Sequence, residues 1–221
     1  MTGEVAGEVT GDATPDATPD ATRSAILDAA RALLVAEGPD GLTVRRIAGA
    51  AGHSTMAVYS RFGGKDGIVD ALVAEGFTML TDALGAVGVV GVVGAVGAVG
   101  ADDDPVADLH RMGDAYRRFA HEHPRHYSLM FERPVPGYEP SEPTSEIADG
   151  ALDVLVRALD RAMTAGAFTP GDPAVTAVSV WATAHGLVSL ELAGAASPAV
   201  DWDTAHEHTW SALFTGLRPP P

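Results

Sequence analysis

Between Thr43 and Lys65 the chain reads TVRRIAGAAGHSTMAVYSRFGGK, a stretch that constrains the fold to two short helices joined by a tight turn. Thr43 is a good N-cap, because its hydroxyl can accept a hydrogen bond from an otherwise unpaired amide two or three residues on. Val44, Ile47, Ala48 and Ala51 recur at helical spacing and form one apolar face. Gly52 follows at once, a helix-ending residue free to take positive φ. Ser54 is the next N-cap and opens a helix through Phe62. Within it Ala57, Val58 and Phe62 face inward. Thr55, Met56, Tyr59, Ser60 and Arg61 are left outward, with no carboxylate among them. Two helices joined so closely are a helix-turn-helix, whose second helix can lie in a major groove. A hairpin that packs a core and binds nothing would leave this basic and hydroxyl-rich outer face unexplained.

The order Gly52, Ser54, Ala57, Tyr59, Phe62, Lys65 resembles the signature of the tetracycline-repressor (TetR) family of transcription regulators. The preceding RSAILDAARALLVAEGPDGLTVRRIA is similar to that family's first helix and its entry into the second. Ile26, Ala29, Ala30, Leu33 and Leu34 make its apolar stripe, and Gly38 and Gly41 bracket the loop. The resemblance covers roughly residues 23–75. It implies Arg45, Thr55, Met56, Tyr59, Ser60 and Arg61 as groove residues, with Thr43, Arg46, Ser54, Tyr59 and Lys65 on the DNA backbone. Two positions depart from the family pattern: His53, where an apolar residue is usual, and Arg61, where histidine is common. Both departures keep groups that can hydrogen-bond a phosphate or a base edge.

The formal net charge of −16 over 221 residues would by itself repel DNA. The charge is not uniform. Residues 23–70 carry six basic and five acidic side chains, a local charge of +1, so the remainder carries −17. A near-neutral head with cations at 45–46 and 61–65, on an acidic body, gives an orienting field. Lys65 is the single lysine of the chain. At the start of the next helix its ammonium and the helix amides can share one phosphate.

The opening MTGEVAGEVTGDATPDATPDAT has five carboxylates, repeats ATPD and lacks a cationic region followed by an apolar run. It therefore reads as a disordered acidic tail over 1–22 rather than a signal peptide. No cysteine means no disulfide framework or thiolate metal site, and a cytoplasmic protein is expected. In GAVGVVGVVGAVGAVG, residues 85–100, glycine falls at every third position. A helix there would lose roughly 1 kcal/mol per glycine relative to alanine. A flexible insert is the expected state, with a frayed helix extension or a barely long enough membrane span as its rivals. The organisation expected is the tail (1–22), the DNA-binding domain (23–75), a linker helix with the insert (76–104), and a ligand-binding and dimerisation domain (105–217).

In the second half Pro105 suits a first helical turn, and Leu109, Met112, Tyr116 and Phe119 form a stripe that ends at Pro124. RHYSLMF, residues 125–131, is a short apolar helix closed by Pro134, Pro136 and Gly137. A mobile loop is expected over YEPSEPTSE, residues 138–146. Ile147, Leu152, Leu155, Val156, Leu159 and Met163 then mark a helix that stops near Gly166. Pro173 starts another, with Val178, Trp181, His185, Val188 and Leu192 on one face. The last runs from Trp202 to Leu217. No alternating strand pattern occurs, so the class is all-α.

Phe119, His123–Pro124, Tyr127, Met130–Phe131, Trp181 and His185–Gly186 are similar to the C-terminal "WHG" ligand-binding domain of a TetR subfamily. The resemblance implies a regulatory pocket at Tyr116, Tyr127, Phe131, Trp181 and His185 for a small-molecule effector. It also implies a homodimer built on the last two helices. The final helix would offer Trp202, His206, Thr209, Trp210, Leu213 and Leu217 to the partner. Ordinary core packing with a hydrogen-bonded histidine accounts for Trp181 and His185 equally well, and the two readings are compatible. His121, His123 and His126 invite a metal, but i and i+2 positions do not share a helix face, so no metal or cofactor is assigned. No GxSxG elbow, phosphate loop or HExxH is present, so no catalytic residue is assigned. The expectation is a ligand-responsive regulator, a repressor, that binds palindromic double-stranded operator DNA as a homodimer. Its rivals are an all-helical carrier or enzyme without DNA binding, and a membrane-tethered scaffold using 83–101.

Overall fold

The computed structural model describes residues 19–86, 104–195 and 199–220, and within them every regular element is helical. The elements are α1 (Pro19–Glu37), a 3₁₀ turn (Pro39–Gly41), α2 (Val44–Ala50), α3 (Thr55–Phe62), α4 (Lys65–Gly85), α5 (Pro105–Glu122), α6 (Pro124–Phe131), α7 (Glu142–Thr164), α8 (Pro173–Leu192) and α9 (Trp202–Leu217). Residues 19–22 of the expected tail form the first turn of α1; the rest of the tail, and the insert from 87 onward, lie outside the described residues.

The caps sit where the side chains demanded them. Thr43 accepts from the Arg46 amide at 3.4 Å and Ser54 from that of Ala57 at 3.2 Å. Gly52 turns the chain between α2 and α3 with φ of 68°. Asp104, Ser141, Asp172 and Asp201 cap α5, α7, α8 and α9 in the same way.

Two cores form. The head core joins Ile26, Ala30 and Leu34 of α1 to Ile47, Val58, Ile68 and Leu72. It also takes in Leu129 of α6 and Val135 and Tyr138 beyond it. The body core holds the Leu109–Met112–Tyr116–Phe119 stripe against α7, α8 and α9. Helix α4 belongs to both, with Ile68 and Leu72 in the first and Leu80 and Leu84 in the second. It runs without a break across residue 75, where the domain boundary was drawn.

Three expectations change. Residues 138–146 are not a mobile loop: Tyr138 is buried, Ser141 caps α7, and Glu142 onward is its first turns. The Pro and Ser residues there are helix-start chemistry, and a polar start looks like a loop in sequence. The inward face of α8 is Ala177, Val180, Ala184 and Val188, whereas Val178 and Leu192 are exposed. This helix is apolar nearly all round, so periodicity could not orient it. Finally, His206, Trp210 and Phe214 of α9 are buried in the chain's own core, with Leu213 and Leu217 packed beside them. That stripe is consumed internally and is not the free face expected for a partner.

Asp70 of α4 fastens head to body. Its carboxylate accepts from the Tyr138 hydroxyl (2.9 Å), the Ser141 amide (2.9 Å) and hydroxyl (2.7 Å), and the Thr144 hydroxyl (2.9 Å). Burial alone would raise its pKa, but these donors outweigh it and hold the carboxyl below its ordinary value. A depressed folded pKa adds stability that is complete above the unfolded value, about 3.9, and is lost as pH falls through the folded one. Asp70→Asn should therefore lower stability at neutral pH by about 3 kcal/mol and flatten its decline in acid. Urea unfolding of both proteins from neutral pH down to about pH 3 reads both effects.

Candidate DNA interface and ligand cavity

The residues of the expected interface lie on α2, α3, their N-caps Thr43 and Ser54, and the first residue of α4. Thr55, Met56, Tyr59, Ser60 and Arg61 are all exposed on α3, Met56 by 73 % and Tyr59 by 54 %. Arg45 is exposed on α2, and Lys65 opens α4. The N-cap of α4 is Gly64, which provides no side-chain acceptor for the first-turn amides. Arg45, Arg61 and Lys65 make no ion pair among the described residues. Arg46 does: both of its terminal nitrogens donate to Glu37. Residues 37 and 46 lie across the loop, a pairing that no local pattern announces. Arg23 lies over the Phe62 ring at 4.9 Å and so braces α1 against the end of α3.

The body holds a half-open cavity of about 370 Å³, within the range of small-molecule sites. Its wall takes Leu80 and Leu84 from α4, Met112 and Tyr116 from α5, Phe131 from α6, Leu152 from α7, Trp181 from α8 and Trp210 from α9. Of the five expected ligand residues, Tyr116, Phe131 and Trp181 line it directly. Tyr127 and His185 stand behind that wall. His185 Nδ1 lies 2.8 Å from the Tyr127 hydroxyl and 3.0 Å from that of Tyr116, and Tyr127 also meets Ser189 at 3.2 Å. Burial lowers the pKa of His185 and raises those of both phenols, so all three rings are neutral near pH 7. They form a network that orients Tyr116, with Phe131 packed against His185 at 5.0 Å. A second hollow of about 220 Å³ adjoins the first, sharing Phe77, Met130, Arg133, Ala148 and Asp149, and reaches Tyr138 and Thr144 at the Asp70 joint.

The histidines divide between different partners. His121 of α5 and His206 of α9 both approach Glu191 Oε2, at 3.2 and 3.3 Å, while His126 approaches Glu75 at 3.3 Å. Glu191 is already held by a bidentate Arg117, at 2.6 and 2.9 Å. Burial opposes its ionisation, but the Arg117 and His121 contacts pull its pKa down to about 2. Among the described residues no cluster of His, Asp and Glu can hold a metal ion.

The family model for bacterial regulatory proteins of the tetR family matches residues 26–72, and that for the tetracyclin repressor-like C-terminal domain matches 109–217. Between them they span more than half of the chain. The chain belongs to the TetR family. This TetR-family transcriptional regulator is 29 % identical over 200 residues to an uncharacterized HTH-type transcriptional regulator of Mycobacterium tuberculosis, covering 89 % of this chain and 81 % of that one. A protein of unknown function from Rhodococcus sp. RHA1 superposes with a TM-score of 0.74 at 27 % identity, covering 96 % of this chain and all of that one. The TetR family regulator PfmR of Thermus thermophilus shares the fold, with a TM-score of 0.60 at 20 % identity over 88 % of this chain and 99 % of that one.

Sequence reasoning missed Asp70 and Arg133, since neither belongs to a motif or an apolar stripe. It also missed Gly113. A Cβ at Gly113 would lie 2.8 Å from the Trp210 ring carbons, so glycine is what lets α9 lay its indole on α5 at the cavity wall. Gly113→Ala should destabilise the regulator by about 1–3 kcal/mol, because neither helix backbone nor indole can yield cheaply. The shift of the denaturation midpoint at unchanged slope measures this.

Proposed function

We propose that this regulator is a ligand-responsive repressor that binds palindromic operator DNA as a homodimer and leaves it when a small molecule fills the body cavity. The observation that carries the reading is the sharing of α6. Leu129 packs in the head core while Met130 and Phe131, its next two residues, line the cavity. An occupant that displaces Phe131 moves a helix whose other face supports the DNA-binding head. Such a ligand acts only through its different affinity for the two arrangements. The reading assigns no catalysis, and it places the protein in the cytoplasm with the DNA.

On the operator, Arg45 and Arg61 read base edges alongside Thr55, Met56, Tyr59 and Ser60. Thr43, Ser54, Tyr59 and Lys65 hold phosphates. Arg46 joins these phosphate contacts only by giving up Glu37. Lys65→Ala should weaken binding to all sequences alike and make the slope of log K against log salt shallower by about one unit. Glu37→Gln should do the reverse, tightening binding and steepening the slope, because it frees Arg46. Salt titrations on a duplex selected from a random pool test both, and unaltered slopes would remove these residues from the interface. The same selection tests the reading as a whole: it should return an inverted repeat.

The dimer face we assign is the outer side of α8. Val175, Val178 and Leu190 are 65 %, 50 % and 52 % exposed, with Ser179, Ala182 and Gly186 between them. By length and composition this helix could cross a membrane, yet its inner side packs on α5 and α7. A two-fold related copy would cover the remaining apolar face and set two recognition helices about one DNA turn apart. Val178→Asp combined with Leu190→Asp should yield helical monomers without specific DNA binding. Sedimentation that finds an unaltered dimer would move the interface elsewhere.

A further inference from the structure

We infer that Arg133 is the head-group anchor of the cavity, and that the cavity takes a monocarboxylate amphiphile, an apolar body bearing a single carboxylate. The inference rests on the effector reading above and names the chemistry of that same site.

Arg133 is where the chain accepts backbone strain. Its φ is +48°, and it is the non-glycine with positive φ among the described residues. The left-handed region brings a Cβ against the following carbonyl, which is why glycine or asparagine usually occupies it. Pro134 follows directly, and a residue before proline is itself pushed toward extended backbone. A long charged side chain in such a place has its position determined by the surrounding structure, and strain of this kind clusters at ligand clamps. What the position achieves is clear from the walls: Arg133 lines both hollows, at the junction between them.

Apart from Asp149 the rest of the main chamber is aromatic and aliphatic, so a ligand buried there is mostly hydrocarbon. The Tyr116 hydroxyl is already engaged by His185. Arg133 is engaged only loosely. Its partner is Glu139 at 3.5 Å, with the two side chains 64 % and 78 % exposed, an ion pair worth little in water. A ligand carboxylate can replace Glu139 and gain the planar, two-pronged contact that a guanidinium offers. Asp149 also lines the chamber, so once one carboxylate is paired with Arg133 a second negative charge on the ligand is left unpaired and repelled. A water molecule takes about 30 Å³ of liquid, so a chamber of about 370 Å³ has room for about a dozen groups of that size.

The test compares decanoate with decan-1-ol, which differ in the head alone. Tryptophan emission reports binding, since Trp181 and Trp210 line the chamber, and release of the selected duplex reports the response. Decanoate should bind the wild-type protein at least about tenfold tighter than the alcohol. Arg133→Gln should bring the two within about twofold, chiefly by weakening the acid. Arg133→Gly, which accepts the left-handed backbone freely, should show the same loss in a relaxed fold. Affinity along a saturated series should stop rising near about a dozen carbons. Equal binding of acid and alcohol by the wild type, or a preference that survives both variants, overturns the head-group assignment and leaves the effector cavity standing. Failure of both compounds to bind overturns the two together. The wild-type comparison decides the matter even if a variant does not fold.

Discussion

One carboxylate holds the two halves of this molecule in register. Asp70 sits on α4, a helix that begins at the recognition module and ends at the cavity wall. Its four donors all come from the short stretch that leads from α6 into α7. An ionised acceptor with so many donors is costly to vacate, because each donor would be left half-buried and unpaired. The joint ties α4 of the head to the segment that leads into α7. Arg31 adds a second tie, with a bidentate contact from α1 to Glu75 at 2.7 Å for each nitrogen. Near it lies His126, buried and kept neutral by burial, on the same helix as Met130 and Phe131.

The electrostatics follow the same division. Residues 23–70 carry a charge of +1 and the remainder −17, and under the proposed function such a division would orient the head toward DNA. Glu37 adds a local restraint by occupying Arg46.

The helix-turn-helix was legible residue by residue, since its information is local: caps, a turn glycine and a three-to-four spacing depend only on near neighbours. The core stripes of α5 and α7 were equally plain. Orientation was not legible in α8, where apolar residues lie on nearly every side and Ala177, Val180, Ala184 and Val188 faced inward for reasons of packing alone. Nor was it in α9, whose apolar stripe suited a partner's surface and its own core equally well. Tyr138 to Glu146 read as loop because a capped helix start and a polar connection share a composition.

The cavity shows the same boundary. Tyr116, Phe131 and Trp181 were named in advance through the resemblance to the WHG-type domain, and all three line the cavity. That Tyr127 and His185 stand behind them, and that Arg133 closes the rim, are matters of three-dimensional position. The linear order of residues was enough for the all-helical class and the helix-turn-helix, because periodicity and capping act over a few residues, and its motif order was enough for the resemblance to the family. Which side of each apolar helix is buried, the Asp70 joint and the Glu37–Arg46 pair emerged only from the folded arrangement. Those depend on partners brought together from 9 to 74 residues away, and the free energy of such contacts exists only once the chain has closed on itself.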